Sequence, residues 1–160
     1  MLKLDESHPL NRGVLNHLRE KRGGEDPISP TAGHPDPYLQ AGSHPDIVTR
    51  VWDTLGGALP ADCRAMVYGT PALVHPKNGV VLALAYGTSY VIRTQEDFVE
   101  ETLEAGCKIE KTWAGGRGTN LRETFGFSWL FGGWEKEESE WLLGSYNNLS
   151  GDTQPSEEPE

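Results

Sequence analysis

The longest amphipathic stripe of the chain begins at Pro45, a residue type favoured in the first turn of a helix. From there, apolar residues recur at the spacing of one helical face: Ile47, Val48, Val51, Trp52, Leu55 and Leu59. Ser43 or His44 is placed to cap this helix at its start. The Gly-Gly pair at 56–57 and Pro60 interrupt the pattern, so we expect the helix to end there.

Four short segments after this helix are rich in β-branched and aromatic residues, which favours strands. They cover residues 65–68, 72–75, 80–86 and 89–93. The Asn-Gly pair at 78–79 is typical of a turn and separates the second segment from the third. The first two segments are alternatively one long strand that bends near Gly69 and Pro71.

The second half of the chain predicts two more helices and two more strands. Thr94 and Asp97 resemble a capping box, and the helix after them carries apolar residues on one side and carboxylates on the other. Gly106 is well placed to end this helix. The patterns then favour a strand at 108–113, a glycine-rich loop at 115–118, a strand at 127–134 and a helix at 135–149.

This order of elements predicts an α+β fold of two layers, with helices packed on an antiparallel sheet (α-β3/4-α-β2-α). We expect a single folded domain over residues 45–149 and a disordered acidic tail at 150–160. Residues 1–44 are rich in Pro and Gly, which indicates a flexible arm. Within the arm, a helical period predicts a short helix at 9–20, carried by Leu10, Val14, Leu15 and Leu18. This helix docks on the body or on a partner, and we favour the body.

The composition narrows the classes of partner. The chain has 160 residues, a formal net charge of -10 and two cysteines. A field of this sign repels phosphate backbones and anionic lipid, so we expect no nucleic acid and no membrane surface as partner. The cysteines match no metal or redox spacing, and no apolar run reaches the length of a leader or a membrane helix. We therefore expect a cytoplasmic protein, and no motif calls for a cofactor.

The stretch Arg64-Ala65-Met66-Val67-Tyr68-Gly69 is similar to the Arg-x-Met-Phe-Gly-Gly stretch of TfoX N-terminal domains. In both, a hairpin, a strand and an acidic helix follow, and the helix ends near Ala-Gly, here Ala105-Gly106. The layout of residues 45–149 also resembles YjbR-type domains and the small two-layer secretion chaperones. Tyr68-Gly69-Thr70 departs from the TfoX pattern because it lacks the paired glycines. The resemblance implies a small two-layer domain and no shared catalytic site.

Two His-Pro-Asp sequences are candidate metal ligands: His34 with Asp36, and His44 with Asp46. Two imidazoles and two carboxylates are a donor set for a divalent cation if the arm folds back on itself. The same residues are also typical of turns and helix starts. We prefer the turn interpretation and assign no metal site, because zinc sites have denser spacing.

Cys63, Cys107 and His75 are the candidates for a thiol nucleophile and its base. Thiol catalysis needs a lowered thiol pKa and a base within hydrogen-bond distance. A free cysteine more often packs as a small apolar residue. We therefore assign no catalytic residue and keep an enzyme with a Cys/His site as an alternative.

Five carboxylates share one face of the helix expected after Thr94: Glu96, Asp97, Glu100, Glu101 and Glu104. No basic residue lies among them, so they repel one another, and a partner with a basic surface would relieve that repulsion. A solvated helix face is the simpler interpretation of the same pattern. As a function we favour a non-catalytic protein-binding module of the adaptor, chaperone or immunity type that uses this acidic surface. A TfoX-like regulatory domain is a further alternative.

Overall fold

The computed structural model describes residues 4–22, 24, 26–28, 45–86, 89–94, 99–105, 110–112, 118–126, 128–132 and 137–150. Its strands are β1 (Arg64–Val67), β2 (Thr70–Val74), β3 (Val81–Tyr86), β4 (Ser89–Arg93), β5 (Glu110–Thr112), β6 (Gly118–Asn120) and β7 (Trp129–Phe131). Five of them form the main sheet in the order β1-β2-β3-β4-β7, and all neighbours are antiparallel. β5 and β6 pair with each other in a separate two-stranded sheet.

The helices are α1 (Arg12–Arg22), α2 (Pro45–Thr49), α3 (Val99–Ala105), α4 (Leu121–Thr124) and α5 (Glu138–Ser150). A 3-10 turn over Pro9–Asn11 leads into α1. α2 continues as a π-helix over Arg50–Leu55 and a 3-10 turn over Gly56–Ala58, so the helix begins and ends where the sequence places it.

The first two strand segments are separate strands joined by a two-residue turn. Val67 and Thr70 face each other across this hairpin. The turn residues have positive φ angles, 48° at Tyr68 and 73° at Gly69, which match the twist of an antiparallel hairpin. The alternative of one long bent strand is therefore wrong, because the chain reverses at this turn.

One face of the main sheet carries the larger apolar cluster. Helices cover this face, with α2 and its π-helical continuation beside α5, and Leu103 of α3 packs against the same cluster. All six residues of the stripe that begins after Pro45 are buried there. The α+β class, the antiparallel sheet and the layer of helices packed on this face are confirmed.

The opposite face of the sheet carries a second apolar cluster, which α1 and α4 cover. It contains Val14, Leu15 and Leu18 of α1, and alternate residues of the strands such as Val67, Val74, Val81 and Val91. The helix expected at 9–20 is thus present and packs on the body. Three side chains of this helix therefore belong to the second cluster. The division of the chain into an arm at 1–44 and a domain at 45–149 stays a prediction.

The second half of the chain differs from the sequence prediction in its small elements. The strand expected at 108–113 is β5, which does not join the main sheet, whereas the strand expected at 127–134 is β7, which does. Two further elements were not predicted, β6 and α4, with three and four residues. The last helix starts at Glu138 rather than at residue 135. Gly106 and the tail at 151–160 lie outside the described residues.

Candidate functional site

The predicted acidic face lies on α3. Glu100, Glu101 and Glu104 are exposed there, whereas Thr102 is fully buried and Leu103 packs against the larger cluster. One side of the helix is thus held by the core, so the three carboxylates are presented to solvent on the other side. The remaining two predicted residues, Glu96 and Asp97, lie outside the described part of the chain.

These three carboxylates form no ion pair with the residues that the structure describes. Two arginines of the body are bound to other acids: Arg50 lies 2.8 Å from Glu138, and Arg64 lies 3.2 Å from Asp53. Like charges three or four residues apart on a helix repel by a few tenths of a kcal/mol per pair. The α3 surface therefore carries negative charge that a basic partner would neutralise.

Cys63 is placed for packing rather than for reaction. It ends the 3-10 turn Ala61–Cys63, directly before β1, and its side chain is fully buried in the larger cluster. Burial, with a smaller contribution from the charge of Asp62, raises the pKa of the Cys63 thiol to about 12. A thiol nucleophile needs the opposite shift, so this cysteine stays protonated and unreactive at neutral pH.

His75 is also engaged in the fold. Its Nδ1 accepts the N–H of Lys77 at 3.1 Å, and its Nε2 donates to the carbonyl oxygen of Tyr146 at 3.2 Å. The imidazole stacks on the Tyr146 ring with centroids 4.4 Å apart. Burial lowers the pKa of His75. With both ring nitrogens bound and the neutral form favoured, His75 caps the end of α5 instead of accepting a proton from a thiol. Cys107 lies outside the described residues.

Of the four candidate metal ligands, only Asp46 lies among the described residues. Asp46 lies in the first turn of α2, where a carboxylate complements the helix N-terminus. His34, Asp36 and His44 are outside the described residues. Among the residues that are described, no group of three or more His, Cys, Asp or Glu side chains is placed to hold a metal ion.

A buried polar network, which no sequence pattern indicates, joins three elements. Glu138, at the start of α5, is fully buried. One of its carboxylate oxygens accepts a hydrogen bond from the Tyr90 hydroxyl of β4 and another, at 2.8 Å, from Nη2 of Arg50 in the π-helix. Nε of Arg50 also donates to the Tyr90 hydroxyl at 3.2 Å. Each polar group is thus bound by the other two, which is what a buried charge pair requires.

The position of Tyr90 in this network also explains why a glycine, Gly132, directly follows β7. A Cβ atom on Gly132 would lie 1.9 Å from Cε2 of Tyr90, closer than any real contact. The Gly132 N–H donates to the carbonyl oxygen of Tyr90 at 3.0 Å, so the backbone passes directly beside the ring. Burial raises the pKa of Tyr90, and its bond to Glu138 raises it further. The phenol therefore stays protonated and acts as a structural donor.

No helix of the described residues combines the length and the apolar character that crossing a membrane requires. The resemblance to TfoX and YjbR-type domains stays a prediction, because no finding bears on it. Comparison with protein-family models, with curated proteins and with solved structures gives no match to this chain.

Proposed function

We propose that the protein is a non-catalytic protein-binding module and that the exposed acidic side of α3 contacts a partner with a basic surface. The observation that carries the proposal is that the two sides of α3 differ in charge and in packing. Glu100, Glu101 and Glu104 are exposed and have no counter-charge among the described residues, while the opposite side anchors the helix in the core. A rigidly held, unbalanced charge favours association with an opposite charge and speeds the encounter.

The chemistry of the buried groups supports binding over catalysis. Cys63 and His75 are held in forms that suit packing and capping, as their burial and hydrogen bonds require. We also place the protein in the cytoplasm as part of this proposal, because a buried free thiol fits a reducing compartment.

The test compares three versions of the chain as baits, which differ in whether and where positive charge is introduced. The first is the unmodified chain, and the second carries Glu100→Lys with Glu101→Lys. The third, a matched control, carries Glu137→Lys with Glu140→Lys, which changes the same charge at exposed positions around the start of α5. Each is expressed at native level in the cells of origin, captured, and its co-purifying proteins are quantified by mass spectrometry.

We expect one basic protein to co-purify in stoichiometric amount with the unmodified chain and with the control. We expect its yield to fall by about tenfold or more with the α3 variant, since each reversed charge turns an attraction into a repulsion. An equal yield from all three baits would show that the acidic side of α3 is not the binding surface. Circular dichroism of each bait checks that the fold is intact.

A further inference from the structure

Residues 4–22 and 26–28, here named the N-terminal strap, are attached to the sheet at two separate polar contacts. At the first contact, Asn11 is fully buried. Its Nδ2 donates to the carbonyl oxygens of Asp5 and Gly79, both at 2.8 Å, and its Oδ1 accepts the N–H of Val81 at 2.9 Å. This one amide therefore binds the start of β3 and the strap together.

Arg93 completes the first contact from the end of β4. Its Nε donates to the carbonyl oxygen of Val81 and its Nη2 donates to that of Leu10, both at 2.9 Å. Its guanidinium lies 4.7 Å from the centre of the Trp129 ring. Only 6% of Arg93 is exposed, and no carboxylate of the described residues binds it. Burial lowers the pKa of Arg93 to about 9, which leaves it charged at neutral pH. The closed strap thus holds a buried charge on neutral acceptors.

The second contact is made by Tyr68, at the hairpin turn between β1 and β2. Its N–H is shared between the carbonyl oxygens of Asp26 and Pro27, at 3.1 and 3.2 Å. Its hydroxyl donates to Glu6 at 2.9 Å. Tyr68 has a φ of 48°, a conformation that is uncommon for residues other than glycine. Both ends of the strap are thus bound by one residue held in a strained conformation.

No strand of the main sheet depends on the strap for its ladder. The pairings of β1, β2, β3, β4 and β7 are made among those strands alone. Between the two polar contacts, α1 inserts Val14, Leu15 and Leu18 into the second apolar cluster and packs closely against the end of α4 at Gly13. The larger cluster lies on the other face of the sheet and contains no strap residue.

We propose that the strap is a conformational device that opens as one unit while the five-stranded sheet stays folded, uncovering the second apolar cluster and the guanidinium of Arg93. One feature of the closed state favours opening. Water would hydrate the guanidinium of Arg93, which recovers part of its desolvation cost. A set of residues that packs on a sheet without ladder bonds is also the kind of unit that opens below the global unfolding free energy.

The test measures the reaction of two thiols, one on each face of the sheet, in the full chain. Cys107→Ser leaves Cys63 as the native thiol, buried in the larger cluster. Val81→Cys adds a thiol beneath the strap, because Val81 is buried in the second cluster and bound by Asn11. Both thiols are labelled with iodoacetamide in one protein, and their rates are read by peptide mass spectrometry after division by the rates in the unfolded chain.

If the strap opens independently, the introduced thiol reacts at least about tenfold faster than Cys63, because Cys63 reacts only when the larger cluster opens as well. Asn11→Ala, which removes three hydrogen bonds, should speed the introduced thiol by a further factor of about ten and leave Cys63 unchanged. Asn16→Ala is the matched control, since Asn16 is an exposed asparagine of the same helix, and it should change neither rate. A common rate for both thiols, in the parent and in Asn11→Ala, would overturn the proposal.

If Val81→Cys fails a folding check by urea unfolding, amide hydrogen exchange of the unmodified chain makes the same comparison. We expect the amides of Val14, Leu15 and Leu18 to exchange at least about tenfold faster than those of Ala83, Leu84 and Ala85 in β3. Equal protection of the two sets would mean that the strap leaves only when the whole protein unfolds, and would likewise overturn the proposal.

Discussion

Replacement of Glu138 by alanine is the sharpest perturbation of the buried network. It removes the carboxylate that binds Arg50, whose side chain is only 12% exposed, and that accepts the hydrogen bond of the Tyr90 hydroxyl. Breaking a buried charge pair on one side costs about 3–5 kcal/mol. Because Arg50 retains some access to water, we expect a loss near the lower end, about 3 kcal/mol. Glu140→Ala on the exposed side of the same helix should change stability by less than about 0.5 kcal/mol.

Urea unfolding followed by tryptophan fluorescence measures these differences. With a slope of about 2 kcal/mol per molar urea, the Glu138→Ala midpoint should fall by about 1.5 M. The triple variant Arg50→Met, Tyr90→Phe and Glu138→Met removes every polar group of the network together. It should recover most of the loss, because the guanidinium, the hydroxyl and the carboxylate are then removed together and none of the three is left without the other two. A cost below about 1 kcal/mol for Glu138→Ala, or a triple variant less stable than the single one, would refute this account of the network.

Three further predictions follow from individual contacts. Gly13→Ala places a Cβ atom 2.5 Å from a backbone oxygen at the end of α4, so it should lower the free energy of unfolding, measured with urea, by about 1–3 kcal/mol. Gly57→Ala, whose Cβ atom would meet no atom within 4 Å, should leave the free energy of unfolding nearly unchanged. Gly132→Ala drives a methyl group into the Tyr90 ring and should lower the melting temperature further than Gly57→Ala does. The folded-state pKa of His75 is lowered, so the unfolded chain binds more protons than the folded chain below about pH 6.5. The free energy of unfolding should therefore decrease as the pH is lowered below this value, and it should decrease less steeply in His75→Gln. Equal slopes for the two proteins would contradict this.

The elements that the sequence predicts are those whose buried residues recur at a regular spacing within one segment of the chain. The stripe after Pro45 and the side of α5 that carries Trp141 and Leu142 are buried as their spacing indicates. The first four strands lie within one or two residues of their predicted bounds, because β-branched residues and turn residues alternate clearly there. β6 and α4 are too short to show any period, which is why no pattern indicates them.

The buried polar contacts could not be predicted because they join residues that are distant in sequence. Arg50 and Glu138 are 88 residues apart. The helical period assigns Arg50 to the solvent side of its helix, whereas it places Glu138 on the same side as Trp141 and Leu142, without indicating which residue its carboxylate binds. Arg93 and Leu10 are 83 residues apart, and the contact uses a backbone oxygen that no side-chain pattern reveals. The acidic side of α3, in contrast, follows directly from the spacing of Glu100 and Glu104, since charge and period lie within one helix.

The dependence of partner binding on salt tests the central claim of an electrostatic binding surface most directly. The association rate of the captured partner with the unmodified chain is measured by stopped flow from about 0.03 to 0.5 M ionic strength. We expect a steep fall of this rate with salt, a much weaker dependence for Glu100→Lys with Glu101→Lys, and no change from the unmodified chain for Glu137→Lys with Glu140→Lys. An association rate that is independent of salt and equal in all three proteins would contradict the claim.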